Sequence, residues 1–229
     1  ADGTVRCWGC NNNGQLGNNS LTTSATPVEV LNIPDGESLV CGSNHNCVRR
    51  QTGEIVCWGL NTVGQLGRGS TSPVRGATPA PVVATGDFHD LSCGLSHTCA
   101  VDSVGSLWCL GANSSGQLGN GTTANSATPL QVPGLDPVVV MGLGATHSCV
   151  VDTTQQLSCW GGNGYGELGT GDTVSSLLPI TVSINEPVVQ IGSGGLNYTC
   201  ARSEIGSVFC WGRNNYGQLA DRTYDAHSN

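Results

Sequence analysis

The sequence predicts an all-β protein built from repeated units of four antiparallel strands, and three observations support this. The phrase C-W-G-x-N-x-x-G-Q-L-G occurs five times with small variations, and a fixed period near 50 residues is typical of solenoids and propellers. Each period contains runs of four to six β-forming residues bounded by Gly, Pro, Asn or Ser. No segment keeps a helical period for about a dozen residues without a Gly or Pro. The first glycine of each G-Q-L-G falls at positions 14, 64, 116, 166 and 217.

The same order of elements recurs in each period. A Ser/Thr-rich stretch ends in Pro and β-formers, as in ATPVEV (25–30), and a short apolar run follows. A segment such as NHNCV (44–48), a turn and the CWG strand complete the unit. Four short strands per unit is the composition of a propeller blade. We therefore predict one propeller region over 1–229, divided into a partial unit 1–34 and repeats at about 35–84, 85–134, 135–184 and 185–229.

Eight of the twelve cysteines form pairs ten residues apart. If each stretch folds as a hairpin with its two cysteines opposite, a three-residue loop remains, and its third residue is Gly in three of four cases. That loop needs a left-handed residue at its third position. Opposed residues also lie within disulfide distance. The spacing predicts the disulfides Cys47–Cys57, Cys99–Cys109, Cys149–Cys159 and Cys200–Cys210.

The other four cysteines are less determined. Gly3 stands before Cys7 as the loop glycines stand before their cysteines, so we expect the partner of Cys7 upstream and the chain to be a segment of a longer protein. Cys41 and Cys93 occupy equivalent positions in successive units, so a further disulfide among Cys10, Cys41 and Cys93 is open, as Cys41–Cys93 or Cys10–Cys41. Isolated pairs at hairpin spacing argue against metal binding, and Cys7-x-x-Cys10 sits in the repeated strand, which disfavours a redox role.

Composition excludes several functions. The chain has no Lys and a formal net charge of −8, which argues against nucleic acid and acidic membrane surfaces as partners. No apolar run is long enough for a membrane helix. No carboxylate pair and no nucleophile beside a base is evident. We expect no catalytic residue, no metal and no cofactor, and therefore not an enzyme.

The repeats resemble those of the regulator of chromosome condensation family, as in GLSHTCAVDSVGSLWCLGANSSGQLG (94–119) and GATHSCVVDTTQQLSCWGGNGYGELG (144–169). The resemblance covers essentially the whole chain, as four complete units and one partial unit. It implies a β-propeller of four-stranded blades, here about five blades' worth, either part of a seven-bladed ring or a smaller ring. The founding member is a nucleotide-exchange factor that docks on chromatin. A secreted bacterial relative binds a β-lactamase through the propeller rim.

Two further sets of residues are candidate sites. His45, His97 and His147 share one repeat position that Tyr198 fills in the last unit, which favours a hydrogen-bonded, half-buried structural role over catalysis. Four N-x-[ST] sequons are candidates for glycosylation, and those in the loop after the phrase come first. The sequons are at Asn18, Asn113, Asn120 and Asn197.

The disulfide spacing places the chain outside the cell. We predict a secreted or cell-surface, non-catalytic propeller that acts as a structural or protein-interaction module of a coat, adhesin or filament, with other proteins or copies of itself as partners. The variable loops 18–26, 68–78, 120–127 and 170–178 are the expected binding elements. The alternatives are a lectin that uses exposed aromatics such as Tyr165, Tyr216 and Tyr224, and a cytosolic exchange factor or adaptor.

Overall fold

The computed structural model describes residues 3–84, 86–194 and 197–228, and the regular secondary structure of this part is entirely β-strand. Ala1 and Asp2 of the expected first loop lie outside the described residues. In chain order the strands are β1 (Arg6–Gly9), β2 (Ser24–Glu29), β3 (Gly36–Cys41), β4 (His45–Arg50), β5 (Ile55–Leu60), β6 (Arg75–Pro81), β7 (Phe88–Cys93), β8 (His97–Asp102), β9 (Leu107–Gly111), β10 (Ser126–Gln131), β11 (Val138–Leu143), β12 (His147–Asp152), β13 (Leu157–Gly161), β14 (Ser176–Val182), β15 (Val188–Gly194), β16 (Tyr198–Ser203) and β17 (Val208–Gly212).

The strands form five sheets that follow the predicted repeats. Three sheets contain four sequential strands each: β3–β6, β7–β10 and β11–β14. β1 and β2 form a two-stranded sheet, and β15–β17 form a three-stranded one. In the last repeat the described residues do not form the fourth strand that we expected. Only an isolated bridge joins Gly212 to His227. The segment 221–228 lacks the Pro and β-branched run that forms this strand in the other repeats.

By packing, the chain divides into two compact units. The first consists of Ala1–Ser103, Trp108–Ala112 and Asn125–Leu130, and the second of Val104–Leu107, Asn113–Ala124 and Gln131–Asn229. Each has its own apolar core. Cys47, Cys57, Leu66, Phe88 and Leu91 lie in the core of the first unit. Leu157, Leu168, Val188, Ile191 and Trp211 lie in that of the second.

In three repeats a bulge positions the loop that follows the CWG strand. The pairing of β5 with β6 shifts register between Cys57 and Gly59, and Gly59 has a φ of 108°. A β-carbon at Gly59 would collide with the carbonyl oxygen of Asn44 and with the Cα of His45. Only glycine tolerates this backbone conformation and this close approach. A β-carbon at Gly111, Gly161 or Gly212 would meet the equivalent carbonyl oxygen, so in these repeats too the glycine brings the start of the phrase loop against the neighbouring strand, whereas Gly9 faces open space. A search of the described residues for a helix with the length and apolarity of a membrane span finds none.

Candidate interaction surface

The four predicted disulfides are present, and each ties the second strand of a sheet to the third. Cys47 opposes Cys57, and the other pairs have the same register, with sequence separations of 10 and Cα–Cα distances of 4.1 Å. Six of these eight cysteines are fully buried, whereas Cys200 and Cys210 are partly exposed. Each disulfide closes a short loop and stabilises its hairpin by about 2–4 kcal/mol. The strands that carry the surface loops are therefore covalently tied.

The hairpin turns also follow the prediction. Arg50 and Glu54 close the first turn, since the amide of Arg50 donates to the carbonyl of Glu54 at 2.9 Å. The third loop residue is left-handed in all four hairpins, with φ of 79° at Gly53, 86° at Gly105, 66° at Gln155 and 93° at Gly206. Gln155 is the one non-glycine among them and carries the strain of that conformation.

A buried asparagine holds the variable loop of each repeat. In the phrase that begins at Cys159, Asn163 is fully buried. Its Nδ2 donates to the carbonyl oxygens of Asp172 at 3.1 Å and Val174 at 3.0 Å, and its Oδ1 accepts from the amide of Leu168 at 2.9 Å. Asn11, Asn61 and Asn113 make the corresponding three bonds in their own repeats, and Asn214 makes the bond from the phrase amide and one of the two carbonyl bonds. One side chain therefore ties the first half of each variable loop to the phrase that precedes it.

A backbone carbonyl, rather than a side chain, joins successive repeats. The indole N–H of Trp58 donates to the carbonyl oxygen of Gln15 at 2.9 Å in the first unit. In the second unit Trp160 donates to Gln117 at 3.0 Å and Trp211 to Glu167 at 2.8 Å. The Gln side chain does not take part in this connection. Its Oε1 instead accepts from the amide two residues earlier in its own loop, as in Asn13 to Gln15 at 2.9 Å.

Buried histidines extend this network. His147 is fully buried, and Thr199 Oγ1 donates to the carbonyl of Glu167 at 2.9 Å, so His147 Nε2 must be the donor in its 2.8 Å bond to Thr199. His45 and Thr98 repeat the arrangement. Burial lowers the pKa of both imidazoles to about 4. The structural role agrees with our expectation, but the histidines at 45, 97 and 147 are fully rather than half buried.

The variable loops present apolar side chains to solvent. Leu21, Val74 and Val174 are exposed in three of the loops, and Leu177 and Leu178 are exposed where loop 170–178 enters β14. These side chains differ between repeats, while the asparagine that anchors each loop does not. The loops combine a fixed backbone with a variable apolar surface, which is the arrangement that protein-binding loops require.

One cluster was missed by the sequence analysis. The guanidinium carbon of Arg213 lies 5.2 Å from the ring centre of Tyr165 and 5.6 Å from that of Tyr216. Sequence reasoning named both tyrosines but not the arginine between them. A signal was available, because the positions equivalent to Arg213 hold Cys10, Leu60, Ala112 and Gly162, and none of these is charged. Tyr224 is exposed, and its ring lies 3.6 Å from the place of a β-carbon at Gly217, the residue that follows Tyr216.

Cys7, Cys10, Cys41 and Cys93 are unpaired thiols, and the proposed pairing among Cys10, Cys41 and Cys93 stays a prediction. Cys7 and Cys41 line one groove of about 290 Å³ with Trp8, whose side chain is 64% exposed while Trp58 is fully buried. Burial, and secondarily the charge of Cys41, raises the pKa of Cys7 to about 11 and that of Cys93 to about 12.

A possible metal site lies at His45, Cys47 and Cys93, whose ligand atoms are within 4.8 Å of one another. Cys47 is bound to Cys57 in a disulfide and therefore has no thiolate to offer a metal. Without Cys47, the group offers one imidazole and one thiol. A structural zinc site has four protein ligands. The disulfide and metal uses of Cys47 exclude each other.

The four sequons differ in accessibility. Asn113 is fully buried, and its amide nitrogen donates to the carbonyls of Thr122 and Ala124, both at 3.0 Å. The expected glycan at Asn113 is wrong for the folded chain, because a modified nitrogen could neither fit nor make these bonds. Asn18, Asn120 and Asn197 are partly exposed and stay candidates.

Three comparisons place this geometry among known proteins. A family model described as an RCC1-like domain matches residues 1–229. The ultraviolet-B receptor UVR8 of Arabidopsis thaliana is 31% identical over 128 residues, which are 53% of this chain and 28% of that protein. The probable E3 ubiquitin-protein ligase HERC3 of Homo sapiens is 35% identical over 126 residues, 54% of this chain and 12% of that protein. The chain thus spans less than a third of the length of these relatives.

Among solved structures, yeast RCC1 (Prp20) bound to Kap60 superposes with a TM-score of 0.86. The alignment covers 99% of this chain and 56% of that chain at 20% identity. At this level of identity the likeness shows the fold alone. The sheets and hairpins described above have the architecture of a β-propeller with antiparallel blades.

Proposed function

Because the chain belongs to the RCC1-like domain family, we propose that it is an extracellular, non-catalytic β-propeller that binds proteins through the loops following its repeated phrase. The observation that carries the proposal is the pairing of a buried asparagine with a variable loop in each repeat. Asn163 fixes the backbone of loop 170–178, while Val174 and Leu178 remain exposed on or beside it. A rigid loop loses little conformational entropy on binding, so its exposed apolar area contributes to affinity.

The extracellular part of the proposal is supported by the disulfides. Four cross-strand disulfides in 229 residues suit an oxidising compartment and are rare in the cytosol. We expect that mass mapping of the unreduced protein, purified from its natural source, recovers all four. Free thiols at Cys47, Cys99, Cys149 and Cys200 in that material would instead favour a cytosolic exchange factor or adaptor.

A loop variant tests protein binding. Val174→Ser and Leu178→Ser together remove exposed apolar area from loop 170–178 and the start of β14, and neither residue belongs to the core. Wild type and variant would each be immobilised and exposed to a cell-surface and matrix protein fraction. We expect a protein that wild type retains and the variant loses, while both unfold at the same urea concentration. Retention of the same proteins by both would refute a role for this loop.

Placement in a coat, adhesin or filament, with further copies of this chain as partners, is part of the same proposal. Sedimentation over a wide concentration range tests it, because self-assembly through these loops makes the apparent mass rise with concentration in wild type more than in the loop variant.

Carbohydrate binding is a second candidate, and the observation in its favour is the cluster of Tyr165, Tyr216 and Tyr224. Exposed tyrosines can stack on sugar rings. A glycan array tests this, and binding that survives Tyr216→Val would remove the candidate.

A further inference from the structure

We propose that Tyr165, Arg213 and Tyr216 form the anchor of the protein-binding surface, and that they receive a carboxylate side chain from an acidic segment of the partner. This inference rests on the proposed function, and it specifies the chemistry of the partner.

The geometry presents the arginine as a fixed, planar donor. The guanidinium lies between two rings, at 5.2 Å and 5.6 Å from their centres, and Tyr165 and Tyr216 are 38% and 75% exposed. Contact with aromatic faces restrains the long arginine side chain, so little rotamer entropy is left to lose on binding. Tyrosine and arginine are also the residues enriched at the energetic centre of protein interfaces.

The donors of Arg213 are unused. Among the residues that the structure describes, its guanidinium makes no hydrogen bond and no ion pair, and its Nε is buried without a partner. Its two Nη groups are not buried and have no acceptor in the described part of the chain, so they are the donors that a ligand can reach. A carboxylate matches the planar fork of guanidinium with two parallel hydrogen bonds. The ligand group that fits this site best is therefore the side chain of Asp or Glu.

The fold does not require these three residues. Positions equivalent to Arg213 include Leu60, and positions equivalent to the tyrosines include Val63 and Ser115. The phrase loop closes with the same hydrogen bonds in those repeats, as the amides of Val63 and Ser115 donate to the Gln side chain at 3.0 Å and 2.9 Å. Departures from the repeat that come from two different repeats and meet in space indicate a binding role rather than a folding role.

A protein partner is favoured over an acidic sugar. Recognition of sugar hydroxyls needs free amides and carboxylates beside the aromatic rings. In these two repeats Asn163 and Asn214 are fully buried and bonded to their loops. The carboxylates of Asp172 and Asp221 accept hydrogen bonds from their own loops. The cluster itself offers two tyrosine rings and one guanidinium, which suits an acidic residue next to an apolar one.

The net charge of −8 opposes an acidic partner at long range, but at physiological salt charges more than about 8 Å apart are largely screened. The contact at Arg213 is short and partly shielded by the rings, so it survives this screening.

The test is a selection of random decapeptides by messenger-RNA display on the full chain. Arg213→Leu is the matched variant, because Leu occupies the equivalent position 60. Arg202→Leu is the control, as Arg202 is an exposed arginine of the same unit that bonds to Gln190. We expect wild type to enrich peptides containing Asp or Glu beside an apolar residue. Synthetic copies should bind Arg213→Leu about tenfold or more weakly, as loss of a charged hydrogen bond predicts, and Arg202→Leu unchanged.

Further variants of the peptide and of the protein test the roles of the carboxylate and of the guanidinium. A Glu→Gln copy of each peptide should lose about as much affinity for the wild type as the original peptide loses for Arg213→Leu. The affinity of the original peptide for Arg213→Lys should lie between its affinities for the wild type and for Arg213→Leu, because lysine keeps the charge but not the planar fork. The anchor is overturned if enriched peptides lack carboxylates, if they bind Arg213→Leu as well as wild type, or if only acidic oligosaccharides compete at Arg213. Peptides that depend on Val174 and Leu178 but not on Arg213 would overturn the anchor while supporting the proposed function.

Discussion

Replacing Asn163 by Asp tests the anchoring of the variable loops, on which the proposed function depends. The substitution keeps the shape of the side chain but replaces the Nδ2 donor by an oxygen. That oxygen would face the carbonyls of Asp172 and Val174, which accept from Nδ2 at 3.1 Å and 3.0 Å in the native protein. The bond from the amide of Leu168 to Oδ1, at 2.9 Å, is retained.

The expected loss of stability follows from these contacts. Two hydrogen bonds of about 1 kcal/mol each are lost. Asn163 is fully buried, so the new carboxylate also adds a desolvation cost of about 1–3 kcal/mol. We expect the free energy of unfolding to fall by about 3–5 kcal/mol. The loop should open more often than the whole chain unfolds, because the disulfide between Cys149 and Cys159 still holds its hairpin.

The measurement is urea unfolding of the oxidised protein, combined with thermolysin cleavage under native conditions. We expect a lower midpoint and a new cleavage within 170–178. Asn185→Asp is the matched control, since Asn185 is exposed and should change stability by less than about 0.5 kcal/mol. If Asn163→Asp behaved like this control in both assays, the loops would not be held by the buried asparagines.

Other predictions follow from the same structure. The neutral histidines His45 and His147 have pKa values of about 4 when folded, below the ordinary 6.5, so their contribution of up to about 3 kcal/mol each is complete above pH 6.5 and lost as pH falls towards 4. The urea midpoint should be lower at pH 4.5 than at pH 7, and the difference should be smaller in His147→Gln than in the wild type. Equal wild-type midpoints at the two pH values would contradict the prediction. Gln155→Gly relieves a left-handed residue and should stabilise by up to about 1 kcal/mol in urea unfolding, and a loss of stability would count against the turn geometry. Iodoacetamide should label the exposed Cys10 faster than Cys93, whose pKa burial raises to about 12, and equal rates would show that Cys93 is accessible.

The sequence predicted the hairpins well because two independent constraints coincide there. The ten-residue spacing of Cys47 and Cys57 fits both a cross-strand disulfide and a three-residue turn. Gln155 shows the strength of the constraint, because its backbone is left-handed although the residue is not glycine.

What sequence reasoning missed involves groups without a local signature. The acceptor for Trp58 is the backbone carbonyl of Gln15, and every residue has such a carbonyl. The contact of Arg213 with Tyr165 joins different repeats, so it appears only once the strands have packed. The sequon at Asn113 is a local signature that gave a wrong prediction, because a three-residue motif carries no information about burial.

The tryptophan-to-carbonyl bond has a consequence for how such a gene can change. Since the acceptor belongs to the main chain, Glu167 can replace the usual Gln and still receive Trp211 at 2.8 Å. Four of the five copies of the motif carry both the tryptophan that donates and the Gln or Glu whose carbonyl accepts, whereas the copy at 109–119 has Leu110 in place of the tryptophan. Unequal crossing-over that inserts or removes one whole period of the tryptophan-containing kind would leave the newly adjacent repeats able to form the same hydrogen bond, so the number of repeats can change while this bond is kept.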